Sequence, residues 1–111
     1  LTADREGFLF KLRDLFEVIP SLTPEEAPVV QAVKKAVNEV IGSPPEMVVS
    51  PGTYDQKHID RIGKLEDCIA YGPGILTLAH QADEYVNISD MIDSACVMGL
   101  ALDDLLRGKK K

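Results

Sequence analysis

Two glycine-containing loops and one histidine carry the chemistry this chain can offer. The stretch Tyr71-Gly72-Pro73-Gly74-Ile75-Leu76-Thr77-Leu78-Ala79-His80-Gln81-Ala82-Asp83-Glu84-Tyr85 places an imidazole between small residues, with two carboxylates close behind. An imidazole held on such a loop can bind a metal through one nitrogen while an acceptor fixes the other. A lone histidine is more often a satisfied structural residue than a ligand, so from the residues alone the structural reading of His80 is the better one and metal binding the alternative. Asp83 and Glu84 are adjacent, which makes their side chains diverge and argues against a paired acid and base.

The other loop, Ser50-Pro51-Gly52-Thr53-Tyr54-Asp55, offers a backbone amide and a hydroxyl at Gly52 and Thr53, close to where a short helix should start. A carbonyl or anionic oxygen is favoured at such a place by the helix dipole. A plain strand-to-helix turn, with glycine for its dihedral and threonine as cap, uses the same residues. His58 sits among Lys57, Asp60 and Arg61 and is expected on the solvated face of that helix. Ser-His-Asp spacing, a Walker phosphate loop and a Cys-rich metal cluster are all missing from the sequence, so no complete catalytic set lies within it.

These loops need elements to position them. Phe8, Phe10 and Leu12 alternate with Leu9, Lys11 and Arg13, the period of a half-buried strand between Glu6 and Arg13. Phe8, Leu12, Leu15 and Phe16 also fall at helical spacing, but Gly7, Phe8 and Phe10 favour the strand and Pro20 stops what precedes it. Pro20 to Ala27 is a connector. Thr23 with Glu26 resembles a capping box, yet a helix starting there would carry Pro28 inside it, so Pro28 is the better first helical residue. Val29, Val30, Val33, Val37, Val40 and Ile41 form an apolar stripe that Gly42 closes, and Pro44 and Pro45 enforce a break.

Met47-Val48-Val49 and Cys68-Ile69-Ala70-Tyr71 are short apolar runs of the kind buried in a sheet. Between them, Ile59 and Ile62 predict a short helix ending near Gly63, capped by Thr53 or Asp55. Ser89 is the expected cap of a last helix with Ile92, Ala95, Cys96, Gly99, Leu102 and Leu106 as its packing face and Gly108 just beyond. Helix and strand in alternation predict an α/β sandwich.

Composition narrows the function classes. With 111 residues, 45% hydrophobic, 27% charged and a net charge of −6, the chain is one domain or a piece of one, long enough to bury a core and without a membrane-length apolar run. Its acidic balance argues against nucleic acid, which requires clustered Lys and Arg. The basic cluster of Arg107 and Lys109 to Lys111 reads as a solvated tail. Cys68 and Cys96 each lie in an apolar stretch, which predicts buried free thiols and suits a reducing cytoplasm. The opening Leu1-Thr2-Ala3-Asp4 has no targeting character and does not begin with methionine, so a fragment is the expectation.

Three features in order resemble the C-terminal part of the metallopeptidase family that includes acetylornithine deacetylase, succinyl-diaminopimelate desuccinylase, the aminoacylases and glutamate carboxypeptidase. They are Val40-Ile41-Gly42 leading to Ser50-Pro51-Gly52-Thr53-Tyr54-Asp55, then Tyr71-Gly72-Pro73-Gly74, then Ala79-His80-Gln81-Ala82-Asp83-Glu84-Tyr85-Val86. The resemblance runs from Pro20 to the final helix. It implies the C-terminal part of a zinc-peptidase-like α/β sandwich over residues 20–108, preceded over residues 1–19 by the last strand of a lid domain that commonly makes a homodimer, with a basic tail at 109–111.

By position, the resemblance makes His80 the family's last metal ligand, with Glu84 supporting it from behind. Gly52 and Thr53 then contact the acyl or carboxylate end of a small-molecule substrate, and Gly72 and Gly74 shape the pocket wall. Family members use two divalent metals, usually zinc, with cobalt and manganese accepting the same ligand types. The other ligands and the general-base glutamate belong to an N-terminal half with no counterpart here, so the chain holds one ligand and no catalytic residue. The implied function is part of a cytoplasmic amidohydrolase acting on N-acyl amino acids or small peptides, inactive as an isolated fragment. The competing class is a non-catalytic binding module that keeps the scaffold without the metal site.

Overall fold

Pro28 opens the first helix, as its missing amide and fixed φ favour. The computed structural model describes residues 2–5, 8–15, 17–50 and 52–108, with the backbone alone for 2–5 and 8–11. Helix α1 spans Pro28–Ile41, and Gly42 ends it in the left-handed conformation at φ 83°, its amide donating to the Asn38 carbonyl at 3.0 Å. The preceding residue Ala27 provides no side-chain cap. Instead the carboxylate of Asp67, far along the chain, accepts a hydrogen bond from the Val29 amide at 3.1 Å. Thr23 and Glu26 therefore make no capping box at this helix; the Thr23 hydroxyl lies 2.5 Å from the Cys68 carbonyl and 3.1 Å from that of Glu66.

Helix α2, Gln56–Arg61, follows Asp55 and is only six residues long. Helix α3 runs over Ile88–Arg107. Its cap position is Asn87, not the expected Ser89: Asn87 has extended dihedrals, and its side-chain amide donates to Asp90 Oδ2 at 3.0 Å. Asp90 in the first turn also places a negative charge at the positive end of the helix.

The core lies between α1 and α3. Ala32 and Ala36 meet Val97 and Ala101, with Val33, Val37, Val40 and Leu105 at the margin and Ser94 buried beside them. Small side chains at the crossing let the helices approach closely. At the rim Lys35 Nζ meets Asp104 Oδ1 at 2.6 Å. The expected packing face of α3 is displaced. Ile92, Ala95, Cys96, Gly99, Leu102 and Leu106 are exposed, and the buried line is Ser94, Val97 and Ala101. The stripe expected on α1 is likewise only part of the contact, since Ala32 and Ala36 are buried while Ile41 is exposed. Both helices are apolar around more than one face, and the pair closes along its smallest residues, leaving the bulkier faces open.

Met47 to Val49 and Cys68 to Tyr71, expected as buried strands, have no strand partner among the described residues, and Val49 is 95% exposed. A strand is held by ladder hydrogen bonds and cross-strand contacts, and no neighbouring strand is described beside either segment. The Cys68 carbonyl is met instead by the Thr23 hydroxyl and the Gln56 side-chain amide.

Near the start, β1 (Thr2–Arg5) and β2 (Phe8–Lys11) pair antiparallel, with Arg5 opposite Phe8. Strand β2 falls within the stretch from Glu6 to Arg13 expected to be extended. Glu6, Gly7 and Phe16, which entered that expectation, lie outside the described residues, as do Pro51 and the basic tail Lys109 to Lys111. Both cysteines are free, but only Cys68 is even half-buried. Cys96 is exposed, because it falls on the side of α3 turned away from α1. Among the described residues no helix is long and apolar enough to cross a membrane.

Candidate functional site

The Gly52 loop is folded back on itself. Ser50 Oγ accepts the Gly52 amide at 3.2 Å and lies 2.9 Å from the Tyr54 hydroxyl. The ring of Tyr54 consequently covers Gly52 so closely that a Cβ built there would lie 2.8 Å from the tyrosine oxygen. Gly52 and Thr53 line a cavity of about 810 Å³, together with Val30, Val33 and Val37 of α1 and the half-buried Lys57 of α2. The dipole argument for this loop weakens, because α2 is short and Asp55 at its start adds a negative charge. What the loop presents is a hydroxyl and a lysine beside an apolar wall. Lys57 and Tyr54 were not singled out as site residues from the sequence; their place in the loop was visible, but not the fold that turns them to the cavity.

The histidine loop is a compact turn bonded to itself. After Gly72 and Pro73, Gly74 takes φ 107°, where a side chain is strained, and leads into a 3-10 turn over Leu76–Leu78. Gln81 donates its amide to the Leu78 carbonyl at 3.1 Å and its side chain to the Thr77 carbonyl at 2.7 Å. The Glu84 amide returns to the Gln81 carbonyl at 3.2 Å. In the middle stands His80, exposed, at φ 66°. For a residue with a Cβ the left-handed region costs about 1–2 kcal/mol. Opposing that cost, Glu84 Oε2 accepts the His80 backbone amide at 3.0 Å. A hydrogen bond to a charged group contributes roughly 1.5–3 kcal/mol at best, and less where solvent reaches it.

Glu84 thus touches the backbone of His80. Among the described residues the imidazole has no hydrogen-bond partner, and no group of three or more His, Cys, Asp or Glu side chains is placed to hold a metal ion. His58 is exposed on α2, as its neighbours suggested. Among the described residues the two loops do not line one cavity. Gly52 and Thr53 line the cavity, whereas Gly72, Gly74, His80 and Glu84 do not; Tyr71, just before Gly72, is the point where the second segment reaches it.

Comparison with known proteins assigns the chain to a family. The profile of peptidase family M20/M25/M40 matches residues 10–104. The chain belongs to that family. The resemblance drawn from Ser50 to Asp55, Tyr71 to Gly74 and Ala79 to Val86 is therefore confirmed at family level. Among its M20 relatives, a succinyl-diaminopimelate desuccinylase of Hydrogenovibrio crunogenus is 36% identical over 73 residues, covering 66% of this chain and 18% of that enzyme. The enzyme of the same name from Nitrosomonas europaea is 32% identical over 103 residues, 93% of this chain and 26% of the relative. That of Nitrosospira multiformis is 34% identical over 90 residues, 81% and 23% respectively. The chain thus spans only about a quarter, or less, of the length of these M20 enzymes. No solved structure matches it.

Proposed function

We propose that this chain is the C-terminal part of the catalytic unit of a metal-dependent amidohydrolase, which cleaves an amide bond of N-acyl amino acids or small peptides. Family membership over residues 10–104 and the three desuccinylase relatives support this reading. The observation that carries it is His80. Its imidazole is exposed, has no hydrogen-bond partner among the described residues, and is carried on a turn held by its own hydrogen bonds. That donor set fits a site to which this chain gives one ligand and the remainder of the protein gives the others.

His80 would hold one of two divalent ions, zinc by preference, with cobalt or manganese as alternatives of similar ligand taste. Such an ion polarises the scissile carbonyl and lowers the pKa of a bound water. As the resemblance implies, Thr53 would orient the acyl or carboxylate end of the substrate and Gly72 and Gly74 would shape the pocket wall, whereas the Gly52 amide would take part only on leaving Ser50 Oγ. The general-base glutamate would come from the N-terminal part of the protein, as the family resemblance implies, while Glu84 meets the His80 amide.

The same reading accounts for the open faces of the helices. The radius of gyration is 19.6 Å, against about 13 Å for a closed domain of 100 residues. On α3, Met98 and Leu102 join Val29 and Val33 of α1 and Ile69 and Tyr71 around a second hollow of about 210 Å³. Open apolar faces of this kind would suit a helix layer packed on a sheet, which supports the reading of an α/β sandwich completed by strands from the rest of the protein. The pair β1 and β2 would belong to a lid domain that makes a homodimer, and the setting would be the cytoplasm. Replacing His80 by Ala in the full-length protein tests the central assignment. Loss of one tightly bound metal equivalent and of most turnover is expected; unchanged metal content and turnover would sink it.

A further inference from the structure

We propose that Glu84 is a positioning residue for His80, acting through the backbone: its carboxylate accepts the His80 amide and locks that residue in the left-handed conformation that presents the imidazole. This deepens, and rests on, the reading of His80 as a metal ligand. Two described residues other than glycine have positive φ, Lys64 at 55° and His80 at 66°. Lys64 has an ordinary cause, since it closes the end of α2 with its amide on the Asp60 carbonyl at 3.0 Å. His80 follows no helix longer than the three-residue turn Leu76–Leu78, and the amide of Ala79 already completes that turn on the Leu76 carbonyl at 3.1 Å.

What meets the His80 amide is the side chain of Glu84, at 3.0 Å. Glu84 is itself drawn back over the turn by its own amide on the Gln81 carbonyl, and Gln81 is fixed at both amide groups to Leu78 and Thr77. Of the bonds that hold the turn, the one that reaches the histidine is the one from its own amide to the Glu84 carboxylate. Glycine would occupy this conformation without strain. A histidine there is retained in a strained backbone by a side chain four positions on.

The test uses the full-length protein with Glu84→Ala, Glu84→Gln and His80→Ala. Two quantities are read: hydrogen exchange at the His80 amide in the metal-free protein, and metal affinity by competition with a chelator. In Glu84→Ala the amide should lose about tenfold in protection, and metal should bind at least about tenfold more weakly, as loss of a ligand-supporting partner commonly causes. Glu84→Gln keeps a carbonyl oxygen to accept the amide and should stay within about threefold of the parent in both readouts. Parent-like protection or affinity in Glu84→Ala would overturn the proposal. So would a Gln variant as weak as Ala, which would show that the negative charge matters rather than the bond to the backbone. If His80→Ala keeps its full metal complement, the ligand assignment fails by itself, and the exchange measurement still reports whether Glu84 holds the turn.

Discussion

Asp67 Oδ1 accepts a hydrogen bond from the amide of Val29 at 3.1 Å, so a residue 38 positions along the chain caps the first helix. The bond satisfies one of the donors that a helix start leaves open, at a position where Ala27 and Pro28 have no side chain to do so. It also fixes the segment that leads into the Gly72 loop against α1, which couples helix start to site geometry.

Substituting Asp67 by Ala should therefore cost the full-length protein about 1 kcal/mol, the usual value of a lost cap. Asp67→Asn retains a carbonyl oxygen and should lose less than half of that. Urea unfolding midpoints of the two variants against the parent measure the difference. Equal losses would mean that the charge, not the hydrogen bond, supplies the stabilisation.

The α1 to α3 contact depends on small residues. Ala36 is 2% exposed and faces the fully buried Val97 cluster. Ala36→Leu should push the helices apart and cost roughly 1–3 kcal/mol. Leu102→Ala, on the open face of α3, tests the proposed sheet contact: in the full-length protein it should cost roughly 2–5 kcal/mol if a sheet covers that face, and almost nothing if water does.

The two glycines of the Gly72-Pro73-Gly74 loop should respond differently. Gly74, at φ 107°, should lose roughly 1–2 kcal/mol as Ala from backbone strain. Gly72 has no positive φ, and a Cβ there meets nothing within 4 Å, so Gly72→Ala should be neutral or stabilising by up to about 1 kcal/mol. Thermal unfolding of both variants distinguishes backbone need from pocket shape, because only a pocket role at Gly72 would reduce kcat/KM without changing Tm.

Lys35 has its pKa raised above the ordinary 10.5, chiefly by its hydrogen bond to Asp104 and then by that carboxylate's charge. A lysine whose pKa is higher folded than unfolded contributes stability that is complete below the unfolded value and fades as pH rises through the folded one. Both side chains are largely open to solvent, which makes the pair weak and salt-screened. Lys35→Met should lose the pair's small contribution near pH 7, and its deficit against the parent should close as pH rises above 10.5. An unchanged alkaline slope in the variant would show that Lys35 does not contribute to it.

Much of this chain could be read without coordinates. Pro28 and Gly42 bound α1 because a fixed φ and a left-handed cap are local properties; α2 begins after Asp55 and α3 ends before Gly108 without such a device, since both residues have right-handed helical dihedrals and Asp55 makes no side-chain cap. The family and its loops are likewise written in residue order, from Gly52-Thr53 to His80 and Glu84. Tertiary structure decided which helical face is buried, since α1 and α3 are apolar on several sides and close along Ala32, Ala36, Val97 and Ala101 rather than along their bulkiest residues. It decided that Asp67 caps α1 and that Glu84 takes the amide of His80, bonds that follow from where a turn brings a side chain, not from its type. It also left Met47 to Val49 and Cys68 to Tyr71 unpaired among the described residues, because a strand, unlike a helix, satisfies its backbone only through a neighbour.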